Sequence, residues 1–140
     1  MRSALAALAL AAGLTGAAAS ALGAAPVTTV PDCVRQAVRP DGITLACGDG
    51  GFLLTGLRWS TTTPAVARAR GTAVLNLCDP NCAAGRKARY AVQAVFANPS
   101  ACPGMRRQFR RLTLIADADR PARTPRVRTV PLPCVPPGIG

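Results

Sequence analysis

Histidine and glutamate are both absent from this chain, and Lys87 is the only lysine. The lack of histidine excludes Ser-His-Asp and Cys-His catalytic arrangements and removes the commonest general base. Asp117 and Asp119 form the only close pair of carboxylates, which could bind a hard cation such as Ca²⁺ or act as paired acids. We expect a solvated loop here instead, because no further oxygen ligands are evident. The sequence therefore predicts that this protein is not an enzyme.

The cysteine spacing does not favour a metal or redox centre. Structural zinc sites use four Cys or His ligands in two close pairs, whereas Cys78 and Cys82 follow the spacing C-x3-C and no second close pair exists. A thioredoxin-type centre needs C-x2-C at the start of a helix. We therefore expect no metal and no cofactor. The stretch "CDPNC" is interpreted as a structural turn because Asp, Pro and Asn favour turns, and Gly85 then supplies a position that tolerates a positive φ.

Long apolar segments are also missing, since no stretch reaches the roughly 20 uninterrupted apolar residues of a membrane helix. The N-terminus has one charge at Arg2, an apolar run from Ala4 to Leu14, and small residues before Pro26. This pattern is typical of a cleaved secretory signal peptide. We expect residues 1–25 to be removed, no transmembrane segment to remain after cleavage, and the protein to be secreted into the extracellular space.

All six cysteines follow the predicted signal peptide. An even number of cysteines in a small exported chain predicts a disulfide framework. Six cysteines allow 15 pairings, and the sequence leaves the choice among them open. The residues concerned are Cys33, Cys47, Cys78, Cys82, Cys102 and Cys134.

Prolines and glycines interrupt most windows in which a helix could form. Between these breaks lie short runs of strand-favouring residues, separated by turn signals such as "GDGG" at residues 48–51. The six runs are Ile43–Cys47, Phe52–Ser60, Ala65–Leu77, Arg89–Phe96, Phe109–Ala116 and Arg126–Leu132. We therefore predict an all-β fold, a small disulfide-stapled antiparallel β-sandwich or barrel-like domain of about six strands.

Strict alternation assigns the side chains of each strand to two faces. In the second strand it groups Leu57 and Trp59 with Leu53 and Thr55, opposite Phe52, Leu54, Gly56 and Arg58. Trp59, the only tryptophan, is expected to be a core anchor. Two connectors, residues 97–104 and 117–125, are predicted from their turn formers. We assign residues 26–119 to the β domain and residues 120–140 to a Pro/Arg-rich tail tied to it by Cys134.

The chain is strongly basic, with a formal net charge of +11. Eight arginines near the C-terminal end are candidates for an anion-binding surface: Arg106, Arg107, Arg110, Arg111, Arg120, Arg123, Arg126 and Arg128. Such a surface would attract anionic envelope polymers, anionic lipid or an acidic extracellular protein. Specific recognition of nucleic acid is not expected outside the cell. The arginine surplus alternatively reflects the codon bias of a GC-rich genome and contributes to solubility.

Four stretches together resemble a known group of proteins: "ACGDGGFLLTGLRWS", "RGTAVLNLCDPNCAAG", "YAVQAVFANP" and "FRRLTLI". This series is similar to small secreted proteins of unknown function from high-GC Gram-positive (actinobacterial) bacteria. The similarity covers roughly residues 40–116. Members of the group often have a second tryptophan soon after the first, where this chain has Ser60 to Thr63. The resemblance implies export but identifies no catalytic residue.

Two classes of function are compatible with these features. The first is a noncatalytic binding or structural module that contacts anionic cell-envelope or extracellular partners. The second is a secreted inhibitor of a protease or other hydrolase, since rigid stapled loops lose little entropy on binding. Residues 78–85 and 98–104 are the candidate inhibitory loops.

Overall fold

The computed structural model describes residues 26–136, so the predicted signal peptide lies outside the described residues. Within this range the chain forms strands and no helix, which confirms the all-β prediction. The strands are β1 (Val30–Pro31), β2 (Gln36–Ala37), β3 (Ile43–Thr44), β4 (Phe52–Thr62), β5 (Ala67–Asn76), β6 (Lys87–Ala101), β7 (Arg107–Ala116) and β8 (Val127–Pro131).

Strands β3 to β8 form one antiparallel sheet in which every strand pairs with its neighbours in sequence. The sheet curls into a half-barrel. This curl brings the guanidinium of Arg128 on β8 over the ring of Phe52 on β4, at 4.8 Å from the ring centroid. Strands β1 and β2 form a separate two-stranded hairpin. Of the two predicted architectures, sandwich and barrel-like, the chain adopts the barrel-like one.

The core fills the concave side of the sheet. Phe96 is fully buried in it, with ring centroids 5.3 Å from Trp59 and 6.2 Å from Phe109, so the half-buried Trp59 packs against the core. The inward residues of β5 are small, and Ala67 and Ala69 are both at most 2% exposed. Small side chains here leave room for the aromatic rings of the neighbouring strands, which a well-packed interior requires.

The predicted alternation is wrong in the second half of β4. It put Leu57 and Trp59 on the face opposite Leu54, but Leu54 and Leu57 are both buried, at 0% and 5% exposure. Gly56 lies between them with a φ of 60°, at a point where the register with β5 shifts. A glycine with a positive φ at such a shift is typical of a β-bulge. The bulge moves Leu57 and Trp59 onto the core side.

The connector predicted at residues 97–104 is partly wrong, because β6 continues to Ala101. Proline is normally excluded from interior strands because it lacks an N–H group. Strand β5 ends at Ala67 opposite Phe96, however, so the last residues of β6 pair only with β7. Pro99 therefore lies on a locally free edge, where its missing N–H breaks no pairing.

All six cysteines form disulfides: Cys33–Cys47, Cys78–Cys82 and Cys102–Cys134. The prediction of a disulfide framework is confirmed, and the third bond attaches the tail to the body of the domain. Such a framework is typical of proteins that fold in an oxidising, extracellular type of environment. Among residues 26–136 no helix is long and apolar enough to cross a bilayer.

Both ends of the described chain pack against the start of β7. Thr29 forms a parallel bridge with Gln108, and its N–H donates to the carbonyl of Arg107 at 2.9 Å. Gln108 also binds the C-terminal segment. Its side-chain amide donates to the Val135 carbonyl at 2.6 Å and accepts from the Val135 N–H at 3.0 Å. The tail is thus part of the packed structure as far as Val135, which is 4% exposed.

Candidate anion-binding face

The convex side of the six-stranded sheet, which we call the outer face, carries side chains that alternate with those of the core. On β5 the sequence "ARAR" sends Ala67 and Ala69 inward and leaves Arg68 and Arg70 exposed. The period of two along a strand therefore presents both guanidinium groups to solvent on the same face.

The register places a third arginine beside these two. Arg58 of β4 lies directly opposite Arg70 of β5, and Arg58 is also exposed. We call Arg58, Arg68 and Arg70 the arginine cluster. Like charges at directly opposed positions destabilise an antiparallel sheet, so an external anion between these side chains would relieve a repulsion that the fold itself leaves uncompensated.

No carboxylate of the described residues neutralises the arginine cluster. The only ion pair between residues 26 and 136 joins Arg86 to Asp79, at 2.5 Å and in an exposed position. The side chains of the three arginines also make no hydrogen bond to other residues in this part of the chain. Their fork-shaped donor groups, which match phosphate and carboxylate oxygens, are free to contact a ligand.

Hydroxyl groups also lie on the outer face, and that of Thr61 is directly opposite Arg68. The row that contains Arg68 has threonines on three other strands, at Thr61, Thr113 and Thr129. Hydroxyls both donate and accept hydrogen bonds. The outer face therefore offers positive charge together with hydrogen-bonding groups of either kind.

A pocket of 460 Å³ opens at one end of the outer face. Its floor includes Leu53 and Val74, which face each other across β4 and β5. The turn at residues 49–51 forms one wall and Cys82, Ala83 and Gly85 form the other, while Lys87 and Asn76 complete the lining. Val74 is 3% exposed although it lies outside the main core cluster, so these two loops shield it from solvent.

The loop that contains Cys78 and Cys82 is fixed by Asn76 as well as by the disulfide. The Asn76 side chain accepts from the Cys78 N–H at 3.0 Å and donates to the Cys82 carbonyl at 2.7 Å. Gly85 is required for close approach, since a Cβ there would lie 2.7 Å from the Asn81 carbonyl oxygen. The expected positive φ occurs at Cys78, with a value of 53°, and not at Gly85.

The eight arginines predicted as one anion-binding surface are not brought together. Arg106 and Arg107 lie at the start of β7, Arg111 projects from its middle, and Arg123 and Arg126 belong to the loop after its end. A ten-residue strand is about 30 Å long, so the two ends of this set are widely separated. These five exposed side chains still contribute to the positive field of the whole molecule.

The other three predicted arginines make contacts within the protein. Arg110 packs its guanidinium against the Cys102–Cys134 disulfide. Arg120 donates to the Thr124 carbonyl at 3.0 Å, within the loop between β7 and β8. Arg128 covers the Phe52 ring and lies near Tyr90, whose pKa is raised by burial and lowered in part by this positive charge. These three side chains are therefore partly occupied by contacts within the protein.

The arginine cluster was not predicted from the sequence because it depends on strand register. The alternation of "ARAR" already assigns Arg68 and Arg70 to one face, but their proximity to Arg58 depends on the register between β4 and β5. That register includes the shift at Gly56, which local propensity does not specify.

Comparisons with protein-family models, with curated proteins and with solved structures found no match to this chain.

Proposed function

We propose that this protein is a secreted, noncatalytic binding module that attaches to an anionic polymer of the cell envelope through its outer face. The predicted signal peptide at residues 1–25 would deliver it to that location. The main support for this proposal is the arginine cluster, in which Arg58, Arg68 and Arg70 lie on neighbouring strands without an acidic partner in the described chain.

The physical basis of this binding is charge complementarity. A positive surface raises the local concentration of polyanions and speeds their association, and both effects weaken as salt increases. Arginine side chains also donate bidentate hydrogen bonds to phosphate or carboxylate oxygens, and net positive charge by itself does not provide such bonds. We therefore expect affinity to depend on the position of the arginines as well as on their number.

The test compares two variants with the same loss of charge. In the first, Arg58→Gln, Arg68→Gln and Arg70→Gln are combined. In the matched control, Arg106→Gln, Arg123→Gln and Arg126→Gln are combined, because these exposed residues lie away from the arginine cluster. Binding of the oxidised proteins to purified cell wall and to inorganic polyphosphate is measured at low and high salt.

We expect the cluster variant to bind at least about tenfold more weakly at low salt, since charge-assisted hydrogen bonds are worth more than diffuse attraction. The control should lose about two- to threefold through its lower net charge alone. Equal losses in the two variants, or binding that does not respond to salt, would contradict the proposal.

A second candidate function is inhibition of a secreted protease or other hydrolase. The observation that favours it is the exposed loop 78–85, which is closed by a disulfide and further fixed by Asn76. A preorganised loop loses little conformational entropy when it binds. Stoichiometric inhibition of a protease secreted with this protein, abolished by reduction of the disulfides, would favour this candidate over the first.

A further inference from the structure

We infer that the 460 Å³ pocket at the end of the outer face holds a sugar unit of a sugar-phosphate polymer, whose phosphates lie along the arginine cluster. This inference rests on the proposed function and names the chemical class of the polymer. The volume falls within the range of about 300–1,000 Å³ that is usual for small-ligand sites.

The lining of the pocket suits a sugar better than a second phosphate. Asp49 lines the pocket, where its carboxylate would repel a phosphate but can accept hydrogen bonds from hydroxyl groups. Leu53 is half-buried at the floor of the pocket, and its apolar side chain suits the C–H face of a sugar ring. By contrast, the arginine cluster is purely cationic and offers no such floor.

The pocket and the arginine cluster are connected along the strands. Val74 lies four residues beyond Arg70 on the same face of β5, which corresponds to about 13 Å. Arg89, directly opposite Val74 on β6, is exposed beside this path. Lys87 supplies another positive charge at the pocket itself. An extended polymer can therefore keep its phosphates on cations while one of its sugars enters the pocket.

The test uses three probes with the oxidised protein: inorganic polyphosphate, unsubstituted poly(glycerol phosphate), and poly(glycerol phosphate) that carries glucosyl groups. Affinities are measured by calorimetry at one salt concentration. We expect the glucosylated polymer to bind at least about fivefold more tightly than the unsubstituted polymer, because only its sugar adds hydrogen bonds and apolar contact in the pocket.

Two tryptophan variants determine whether the pocket causes this difference. Ala83 lines the pocket and is exposed, so Ala83→Trp should fill the site without disturbing the core. Ala84 is exposed on the same loop but does not line the pocket, which makes Ala84→Trp the matched control. We expect Ala83→Trp to remove the preference for the glucosylated polymer and Ala84→Trp to retain it.

Failure of this inference is distinguishable from failure of the proposed function. If glucosyl groups add no affinity, or if Ala83→Trp keeps the preference, the sugar site is wrong, while binding that depends on the arginine cluster can still stand. If the triple arginine variant and its control bind polyphosphate equally well, the proposed function itself is wrong.

Discussion

Gln108 has no exposed surface although it carries a polar amide. Its side chain satisfies the backbone N–H and carbonyl of Val135, with distances of 3.0 and 2.6 Å. A second amide, that of Gln36, also donates to the same carbonyl at 3.2 Å. One residue of β7 therefore replaces the strand partner that the C-terminal segment lacks, since buried backbone groups require hydrogen bonds.

Replacing Gln108 with leucine should destabilise the protein by about 2 kcal/mol. Gln108→Leu keeps a side chain of similar size but leaves the Val135 N–H without a partner, and an unsatisfied buried group costs about 1–3 kcal/mol. The measurement is urea unfolding of the oxidised protein. Gln93→Leu serves as the control, because Gln93 is exposed on β6. Similar stabilities for the two variants would contradict the role assigned to Gln108.

The bulge in β4 determines the composition of both faces of the sheet. Gly56 has a φ of 60° and no atom within 4 Å of the position that a Cβ would occupy. Upstream of it Leu54 faces the core, and downstream Leu57 does so. The same reversal of the two faces places Arg58 on the outer face, directly opposite Arg70. The arginine cluster therefore depends on this single irregular position.

A methyl group at Gly56 should cost about 1 kcal/mol of stability. Because the site has space for a Cβ, the cost of Gly56→Ala comes from the left-handed backbone conformation alone. Gly48→Ala is a matched control, since its site is equally open but its φ is not in that region. Thermal unfolding should separate the two variants by several degrees, and equal transition temperatures would argue against a conformational role for Gly56.

The elements that the sequence predicts well are those in which local pattern and tertiary environment agree. Alternation identifies both faces of β5, because no irregularity interrupts that strand between Ala67 and Asn76. It fails after Gly56, where an extra residue reverses the faces. It also misses the extension of β6 through Pro99, which depends on where β5 ends. The arginine cluster likewise depends on register, and the Cys33–Cys47 and Cys102–Cys134 pairings depend on how the chain folds back on itself, neither of which composition contains.

At the scale of the whole molecule, the three disulfides should contribute unequally to stability. Cys102–Cys134 links residues 32 apart and fastens the tail, whereas Cys78–Cys82 links residues only 4 apart in an exposed loop. In the chain-entropy model a longer closed loop gives greater stabilisation, about 4 kcal/mol for the first bond and about 2 kcal/mol for the second.

Paired alanine substitutions test this order. We expect Cys102→Ala with Cys134→Ala to lower the free energy of unfolding more than Cys78→Ala with Cys82→Ala. Loss of packing at Cys102, which is 3% exposed, increases the difference further. Denaturant unfolding of the two double variants gives the comparison. A reversed order would contradict the prediction that the Cys102–Cys134 disulfide stabilises the protein more than the Cys78–Cys82 disulfide.

The meander of strands has a consequence for the order in which the chain folds. Each hairpin from β3 to β8 joins neighbours in sequence, and such local contacts form at small entropic cost. The hydrogen bonds from Gln36 to Val135 and from Thr29 to Arg107, by contrast, span 99 and 78 residues. The contacts between the two ends of the described chain therefore carry the largest entropic cost of loop closure, and we expect folding to finish when these two ends meet.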